Sequence, residues 1–338
     1  MASKIPQFEV TVTDIKKAYD RISKHILYTP VFTSPTFDRM VGSKAGRQFY
    51  FKAENLQKTG SFKARGALNA ILCALEREPS LAGVVTHSSG NHGQALAWAS
   101  KRAGVKCCVV VPKTAPQVKF DAMENYGAEV VKCEPNPTSR KETCEGLAKS
   151  RGYKYISSSD DYDVIAGQGT IALELLQQQP DLDAILVSVS AGGMASGICV
   201  YTKNTKSDLK VFLVEPEGKM LEECISKRER LWPNPPQFLD TIADGIILQQ
   251  CGNKTWPIIL ELPEKEVITV NNDNIVEAMR FVFARMKLVI EAAAGATVAA
   301  AMTERFQNFH PEAKKVGIIL CGGNVDIEKL PWTKKDTK

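Results

Sequence analysis

Short apolar runs alternate with longer segments of mixed polarity along most of the chain, and this pattern predicts its secondary structure. Apolar runs of about five residues are typical of buried strands, and periodic segments of about ten or more are typical of helices. The predicted strands are residues 48–52, 83–86, 105–111, 129–133, 184–189, 209–214 and 315–320. The predicted helices are residues 13–24, 62–78, 92–103, 116–126, 139–151, 167–178, 193–203, 272–286 and 292–308. Strands joined by helices indicate parallel pairing.

This order of elements predicts an α/β fold with two open, mostly parallel sheets flanked by helices. The 338 residues exceed the usual size of one domain, which is about 100–200 residues. Residues 83–155 form a compact block of strand and helix units, which we expect to be a small mobile domain inserted in a larger one. Residues 1–82 and 156–338 then make up the large domain.

Composition narrows the classes of function. The net charge of +5 is spread along the chain without a basic block, so we expect no nucleic-acid partner. The nine cysteines include no C-x-x-C pair, which is typical of reduced thiols in a cytoplasmic protein.

Residues 1–13 lack the apolar segment of a signal peptide. The uncharged stretch 184–202 is rich in serine and glycine, so we expect a buried strand, turn and helix there and no membrane partner.

A glycine turn before the second predicted helix presents one lysine, Lys63, as a candidate for covalent chemistry. The turn reads Gly60-Ser61-Phe62-Lys63. Burial lowers the pKa of a lysine, and its free amine forms a Schiff base with an aldehyde cofactor. The alternative interpretation is a solvated lysine in a first helical turn, which is the ordinary place for this residue type.

Three other small-residue turns follow predicted strands, where ligands bind in open α/β sheets. They are residues 88–93, 190–194 and 321–324. Asn91 in the first can bond a phenolic oxygen, and the second precedes a helix whose N-terminus favours a phosphate. The second turn is not a G-x-G-x-x-G motif, so a phosphate without a nucleotide fits better. Each turn also has a structural interpretation, as a helix cap, a tight turn or a buried cysteine. Together with Lys63 they indicate a pocket for pyridoxal 5′-phosphate (PLP).

Metal binding rests on weaker patterns. The histidines, at positions 25, 87, 92 and 310, show no zinc-ligand spacing, so we assign no zinc. Glu215, Glu222 and Glu223 place three carboxylates close together in sequence, which suits Mg²⁺ or Ca²⁺. The alternative interpretation is a solvated acidic loop.

Several motifs taken together resemble those of animal serine racemases. They are residues 61–67, 87–95, 165–170, 242–245 and 322–326. The similarity extends from about residue 15 to residue 326, so it is more specific than any single motif. It implies membership of the fold-type II PLP enzymes, which also include serine and threonine dehydratases.

The resemblance implies roles for individual residues. Lys63 matches the Schiff-base lysine, and Ser89 matches the serine on the opposite face of the substrate Cα. The implied cofactor-binding residues are Phe62, Lys63, Asn91, Ser190, Ala191, Gly192, Gly193, Met194 and Cys321. The implied substrate-binding residues are Ser88, Ser89, His92, Arg140, Ser157, Ser158, Ser159 and Asp244. The implied metal ligands are Glu215 and Glu223.

Two departures from the serine racemase pattern bear on function. Ser190 and Ala191 replace the first two glycines of the phosphate loop. Ser157, Ser158 and Ser159 stand where serine racemases carry His-Pro-Asn, and this run resembles the related animal aspartate racemases. Three small hydroxyls offer donors for a second carboxylate, and Arg140 could supply a countercharge. The alternative interpretation is a solvated turn, for which serine-rich sequence is typical.

We therefore expect PLP-dependent racemisation of aspartate by two-base proton transfer at Cα, with serine racemase and serine dehydratase side activities. The alternatives are a serine racemase with L-serine dehydratase activity and, from another class, a non-catalytic PLP-binding regulatory protein. The resemblance also implies Mg²⁺ (or Ca²⁺ or Mn²⁺) and ATP as effectors, a homodimer, and a small amino acid as the partner.

Overall fold

A computed structural model describes residues 6–308 and 310–333 of the chain. Residues 1–5, 309 and 334–338, which belong to the predicted large domain, lie outside the described residues. The strands are β1 (Val31–Thr33), β2 (Gln48–Lys52), β3 (Val84–His87), β4 (Cys107–Pro112), β5 (Glu129–Cys133), β6 (Lys154–Tyr155), β7 (Ala184–Ser188), β8 (Lys210–Pro216), β9 (Val267–Val270) and β10 (Lys315–Ile319). Short 3-10 and π-helical turns connect several elements.

The α-helices vary in length from single turns to more than four turns. They are α1 (Val12–Ile22), α2 (Pro35–Phe37), α3 (Lys63–Arg77), α4 (Asn91–Ala103), α5 (Gln117–Asn125), α6 (Pro137–Arg151), α7 (Tyr162–Gln178), α8 (Gly193–Thr205), α9 (Leu221–Lys227), α10 (Trp256–Glu261), α11 (Asn272–Phe281), α12 (Ala292–Met302) and α13 (Glu304–Asn308). None of the helices in residues 6–308 and 310–333 has both the length and the apolar character needed to cross a membrane.

Within the described residues the strands form two sheets. The larger has the order β1-β2-β10-β7-β8-β9, in which β1 pairs antiparallel and the others pair parallel. The smaller has the order β5-β4-β3-β6 and is parallel throughout. Helices pack against both sheets, so the predicted α/β class with two mostly parallel sheets is confirmed.

The residues around the larger sheet form one apolar core, and the smaller sheet has a core on each face. One core of the smaller sheet combines residues of β3 and β4 with Leu68 and Ile71 of α3 and Ile22 of α1. Helix α3 therefore contributes to the core of the smaller sheet although it precedes residue 83. The proposal that residues 83–155 move as a small domain stays a prediction.

Several element boundaries differ from the predicted ones for local reasons. Helix α7 begins five residues earlier than predicted, because the Asp161 side chain accepts the backbone N–H groups of Asp163 and Val164 and so caps it. The predicted helix 292–308 breaks at Thr303, whose backbone is extended. The short elements β6, β9, α9 and α10 were not predicted.

A buried cluster of charges fixes the start of α3 against α7. Arg65 donates to Glu54 at 2.7 Å and to Glu174 at 2.7 Å, and Lys52 donates to Glu174 at 2.7 Å. All four side chains are at most 1% exposed. Two cations and two carboxylates balance each other, as buried charges must. The cluster therefore holds the helix turn that carries Lys63.

Candidate active site

A cavity of about 520 Å³ lies beyond the carboxyl ends of β3, β7 and β10. Its lining includes most of the predicted site residues. They are Phe62, Lys63, Ser88, Ser89, Asn91, His92, Arg140, Ser158, Ser159, Ser190, Ala191, Gly192, Gly193, Met194, Asp244 and Cys321. Three predicted residues lie outside this lining, namely Ser157, Glu215 and Glu223. The cavity also brings in residues that sequence reasoning left out, among them Lys119, Phe238 and Glu291.

Lys63 is the first residue of α3, and its ammonium points into the cavity. The backbone N–H of Phe62 donates to the Cys321 carbonyl at 3.1 Å, which ties the turn to the end of β10. Lys63 Nζ donates to the Ser158 carbonyl at 2.6 Å and lies 5.0 Å from the centroid of the Phe62 ring. Burial lowers the pKa of Lys63 to about 8. An appreciable fraction of this amine is therefore unprotonated near neutral pH, as a covalent anchor requires.

Residues 190–194 form a turn into α8 in which two glycines are sterically required. Gly192 has φ +96°, and a Cβ there would lie 3.0 Å from Thr255 Oγ1. A Cβ at Gly193 would lie 2.7 Å from the Ser159 carbonyl oxygen. Because the first N–H groups of a helix have no partner within it, the start of α8 offers donors and a positive dipole end to an anion.

Asn91, Glu291 and Asn324 form a hydrogen-bonded network on the wall of the cavity. Asn91 Nδ2 donates to both Glu291 oxygens, at 2.9 and 3.0 Å, and Asn91 Oδ1 accepts from Asn324 Nδ2 at 2.8 Å. Burial raises the pKa of Glu291 to about 7, although the Asn91 hydrogen bond lowers it. The network orients the Asn91 amide, which is the predicted partner of a ring hydroxyl.

Glu291 was missed by sequence reasoning, and one signal could have found it. It is the single charged residue between Leu288 and Met302, in a segment that is otherwise apolar or small. A lone carboxylate in such a segment is buried when the segment is buried, and buried carboxylates have specific partners. The partner here, Asn91, lies far away in the sequence, so the contact itself was not predictable.

Cys321 follows β10 and presents a neutral thiol. Its Sγ lies 4.0 Å from both the Ser188 hydroxyl and Glu291 Oε1. Burial and the neighbouring Glu291 carboxylate raise the Cys321 pKa well above its ordinary value. A thiol with so high a pKa gives up its proton poorly, so it would leave a neighbouring ring nitrogen largely unprotonated.

His92 is held in a neutral state. Its Nε2 lies 3.3 Å from the Ile156 carbonyl, which can only accept, so Nε2 carries the proton. Burial, followed by the charge of Lys63, lowers the His92 pKa to about 3. His92 therefore lines the cavity as a neutral imidazole, which is a poor proton acceptor near neutral pH. Ser88 also has a local role, since its hydroxyl accepts the Gly90 N–H at 3.3 Å.

The triple serine divides into one turn residue and two cavity residues. Ser157 Oγ accepts the backbone N–H of Asp160 at 3.0 Å and that of Ser159 at 3.4 Å, so it stabilises the turn. Ser158 and Ser159 line the cavity, and the Ser158 carbonyl contacts Lys63. Two of the three serines therefore line the cavity, and their binding of a second substrate carboxylate stays a prediction.

Two cationic side chains, Arg140 and Lys119, also line the cavity. The Arg140 guanidinium lies 5.8 Å from the Phe238 ring centroid, and its buried Nε has no hydrogen-bond partner among the described residues. Lys119 lies 3.4 Å from Asp244, and both line the cavity. A buried guanidinium nitrogen without a partner is a favourable site for an anionic group.

The two predicted metal ligands do not come together as a metal site. Glu215 is buried, and its carboxylate accepts the Leu221 N–H at 2.8 Å and the Thr269 hydroxyl at 3.1 Å. Glu223 is exposed on α9. In the part of the chain that the structure describes, the possible metal-ligand group is Glu264, Glu266 and His310, which is distant in sequence from both. The residues present therefore do not fit a divalent cation held by Glu215 and Glu223.

Comparison with known proteins agrees with this site. The family model described as "Pyridoxal-phosphate dependent enzyme" matches residues 22–322, so the chain belongs to that family and the predicted family is confirmed. A solved structure described as a pyridoxal 5′-phosphate-dependent aspartate racemase is 99% identical, with a TM-score of 0.95, covering 97% of this chain and 100% of that chain.

Two curated relatives are serine racemases. The enzyme of Dictyostelium discoideum is 46% identical, over 96% of this chain and 98% of its own length. The enzyme of Homo sapiens is 43% identical, over 97% of this chain and 96% of its own length. Both are similar to this chain over nearly its whole length.

The residues present fit PLP. The cavity combines a buried lysine of lowered pKa with a glycine turn at a helix start, where side-chain carbons would clash. Lys63 would hold the aldehyde carbon, residues 190–194 the phosphate, and Asn91 the ring hydroxyl. Cys321 would face the ring nitrogen. These assignments remain predictions for individual residues.

Proposed function

We propose that this chain is a PLP-dependent aspartate racemase, which interconverts L- and D-aspartate by moving the Cα proton between two bases. The observation that carries the proposal is the 99% identity to the aspartate racemase structure over 97% of the chain. The site adds independent support, because Lys63, Ser89 and a potential carboxylate-binding region line one cavity.

The proposed reaction uses one base on each face of Cα. Bound PLP withdraws electrons from the bonds to Cα and so lowers the energy needed to remove the Cα proton. In one direction the Lys63 amine takes this proton on one face, and the Ser89 hydroxyl gives its own proton to Cα on the other face. In the reverse direction the Ser89 alkoxide takes the proton and the Lys63 ammonium gives one. Each acid–base group contributes about 10²- to 10⁴-fold to the rate. The lowered Lys63 pKa of about 8 suits this exchange near neutral pH.

Selection of aspartate is proposed to depend on its second carboxylate. Ser158 and Ser159 line the cavity and are the proposed hydroxyl donors to it, and Arg140 is the proposed charged donor, with an unpartnered Nε among the described residues. Charge-assisted hydrogen bonds of this kind are about twice as strong as neutral ones. L-Serine lacks this carboxylate and would leave these donors without a partner.

A second candidate function is serine racemase with L-serine dehydratase activity. It is favoured by the two serine racemases that are 46% and 43% identical. With serine bound, loss of the β-hydroxyl after removal of the Cα proton gives pyruvate and ammonia. A non-catalytic PLP-binding protein is a weaker candidate, because it would have no need of both Lys63 and Ser89 as bases.

A chiral product assay tests the proposal. The purified enzyme is incubated with L-aspartate, L-serine or L-threonine, and the enantiomers and keto acids are resolved. We expect D-aspartate as the main product, with slower formation of D-serine and pyruvate. Formation of D-aspartate no faster than in the absence of enzyme would exclude aspartate racemisation, and preferential formation of D-serine would support the second candidate.

The variant Ser89→Ala tests the two-base assignment. Racemisation should fall about 10²- to 10⁴-fold while the cofactor absorbance of the Lys63 linkage remains. Ser88→Ala removes a neighbouring hydroxyl that supports the turn, and serves as the matched control. Equal losses in the two variants would argue against Ser89 as a base.

The resemblance to serine racemases alone supports two further proposals, a homodimer and ATP as an effector. A cytoplasmic location is proposed from the nine cysteines, which include no C-x-x-C pair. Sedimentation of the purified enzyme tests the first, and the aspartate racemase rate with and without ATP tests the second. Magnesium is also implied by the resemblance, but the surroundings of Glu215 and Glu223 argue against it.

A further inference from the structure

Lys219 is a buried lysine that contacts the predicted phosphate-binding turn from outside the cavity. It follows β8, and its side chain is 0% exposed. Its neighbours Gly218 and Met220 both have left-handed backbone conformations, with φ +84° and +60°. The left-handed region is unfavourable for a methionine. A strained backbone and a buried cation in one place require a compensating interaction.

Three backbone carbonyls surround the Lys219 ammonium. Nζ donates to Ser190 at 2.8 Å, to Leu248 at 2.7 Å and to Gln249 at 3.0 Å. A neutral amine has two N–H groups, whereas three acceptors match the three N–H groups of the protonated form. Burial lowers the pKa of Lys219, and the three carbonyls favour the charged form against this effect. Carbonyl oxygens are also the ligands that hard metal cations prefer.

The contact with Ser190 affects the phosphate-binding turn directly. The Ser190 carbonyl belongs to the peptide unit whose N–H is that of Ala191. In a planar trans peptide the C=O and N–H bonds point in opposite directions. Ser190 and Ala191 line the cavity, whereas Lys219 lies outside its lining. By holding the carbonyl from behind, Lys219 therefore turns the Ala191 N–H toward the cavity.

The next peptide unit, between Ala191 and Gly192, is held in the same way, but by neutral groups. The Ala191 carbonyl accepts the Gly252 N–H at 3.0 Å and the Thr255 hydroxyl at 2.5 Å. Asp160 in turn accepts the N–H groups of Asn253 and Lys254, at 3.0 and 2.7 Å. Two consecutive peptides of the turn thus have their carbonyls fixed on the side away from the cavity.

We propose that the Lys219 ammonium is a built-in cation that positions the phosphate-binding turn and makes a bound divalent metal ion unnecessary at this place. The Glu215 carboxylate, which the resemblance assigns to a metal, accepts one hydrogen bond on each oxygen, from the Leu221 N–H and the Thr269 hydroxyl. Lys219 is a positioning residue, because it acts on the cofactor phosphate through the Ser190 peptide. The proposal rests on PLP binding and not on the identity of the amino-acid substrate.

The first test uses the unmodified holoenzyme. It is treated with EDTA, and then Mg²⁺, Ca²⁺ or Mn²⁺ is added. We expect the aspartate racemase rate to change by less than about two-fold and the melting temperature to stay constant, since no ion stabilises the folded state. A loss of about ten-fold or more with EDTA that a divalent ion restores would overturn the proposal.

The second test compares PLP with pyridoxal, which lacks the phosphate. In full-length Lys219→Met, the PLP dissociation constant should rise about ten-fold or more, because buried carbonyls lose their donor and the turn is no longer fixed. The dissociation constant of pyridoxal should stay within about two-fold of the wild-type value. If the ratio of the PLP and pyridoxal dissociation constants in Lys219→Met equals that of the wild type, Lys219 is only structural.

Lys52→Met is the matched control, because Lys52 is also fully buried but belongs to the charge cluster with Glu174. It should lower stability and leave the ratio of the PLP and pyridoxal constants unchanged.

Thr255→Val removes the hydroxyl from the Ala191 carbonyl and should shift the ratio in the same direction as Lys219→Met, by a smaller factor. If Lys219→Met does not fold, a wild-type ratio in Thr255→Val would still contradict the proposal. The binding constants test the role of Lys219, and the chiral assay tests aspartate racemisation. Failure of one proposal can therefore be distinguished from failure of the other.

Discussion

Lys63 and Arg65 lie two residues apart in α3, and both carry a cation into the protein interior. Arg65 is surrounded by carboxylates, with Glu54 and Glu174 each at 2.7 Å. Lys63 contacts a single carbonyl oxygen, that of Ser158, at 2.6 Å. Burial disfavours the charged form of both side chains. The two carboxylates nevertheless raise the Arg65 pKa, whereas the Lys63 pKa falls to about 8.

The difference separates a structural cation from a reactive one. Burial alone makes a cation costly, and the partners decide whether the charge is stabilised or the proton is released. Arg65 is satisfied and fixes the helix, whereas Lys63 is left with a proton that it gives up readily. The same helix turn therefore supplies both the rigidity and the reactivity of the site.

Replacing the reactive cation should have the largest effect. In Lys63→Ala, the aspartate racemase rate should fall more than about 10⁴-fold, because both a base and the covalent anchor are lost. The visible absorbance of the cofactor linkage should disappear as well. Lys58→Ala, at an exposed lysine in the preceding turn, is the control and should keep both. Retention of the absorbance in Lys63→Ala would refute the anchor assignment.

Replacing the structural cation should reduce stability rather than chemistry. Arg65→Met leaves Glu54 and Glu174 buried, with Lys52 as their remaining cationic partner. The free energy of unfolding should fall by about 3–5 kcal/mol, as is typical when one member of a buried charge network is removed. Urea unfolding measures this loss. Arg77→Met, at a pair with Asp163 whose arginine is 62% exposed, should cost at most about 1 kcal/mol. Equal losses of unfolding free energy in Arg65→Met and Arg77→Met would contradict the structural role given to the buried charge cluster.

The sequence allowed much of the fold and the positions of the site turns to be predicted. Strand 48–52 was predicted correctly, since Phe49 and Phe51 alternate with less buried positions. The turns at residues 88–93, 190–194 and 321–324 follow parallel strands and meet in one cavity. Local patterns sufficed for these features because they depend on residues close together in the chain.

What could not be predicted depends on contacts between distant residues. The segment between α9 and β9 has few regular elements and is held partly through Lys219, which donates to the Leu248 and Gln249 carbonyls. Glu291 gains its role from Asn91, and the division of the triple serine depends on the direction of the Ser157 side chain. Composition and periodicity carry no information on such pairings.

The same contrast is found between two buried carboxylates, Glu54 and Glu291, and it makes the stability of the protein depend on pH. Arg65 and Lys52 overcome the effect of burial on Glu54 and lower its pKa, whereas burial raises the pKa of Glu291 to about 7. Folded Glu291 therefore binds more protons than unfolded Glu291 between about pH 4.5 and 7, so its contribution to stability falls as pH rises through this window.

The variant Glu291→Gln carries no charge at any pH and should remove this dependence. In the cofactor-free protein, its stability relative to the wild type should increase by about 3 kcal/mol between pH 4.5 and pH 8. Urea unfolding at both pH values measures the change. A constant difference between the two proteins at all pH values would mean that Glu291 has an ordinary pKa.

The smallest expected effect concerns the serines beside Lys63, which test whether specificity comes from the cavity or from the turn. Ser159 lines the cavity and approaches the phosphate-binding turn at Gly193. Ser159→Asn introduces the residue that the resemblance gives to serine racemases. The ratio of kcat/KM for aspartate to that for serine should fall about ten-fold, which is within the range for changes to one substrate contact.

Ser157→Ala is the matched control, because Ser157 has a hydroxyl that supports the turn but lies outside the cavity lining. It should cost about 1 kcal/mol of stability through loss of the turn hydrogen bond and leave the aspartate to serine ratio within about two-fold of wild type. If Ser157→Ala shifts the ratio as much as Ser159→Asn, the shape of the turn sets specificity. If neither shifts it, the second carboxylate is recognised elsewhere in the cavity, and Arg140 becomes the residue to replace.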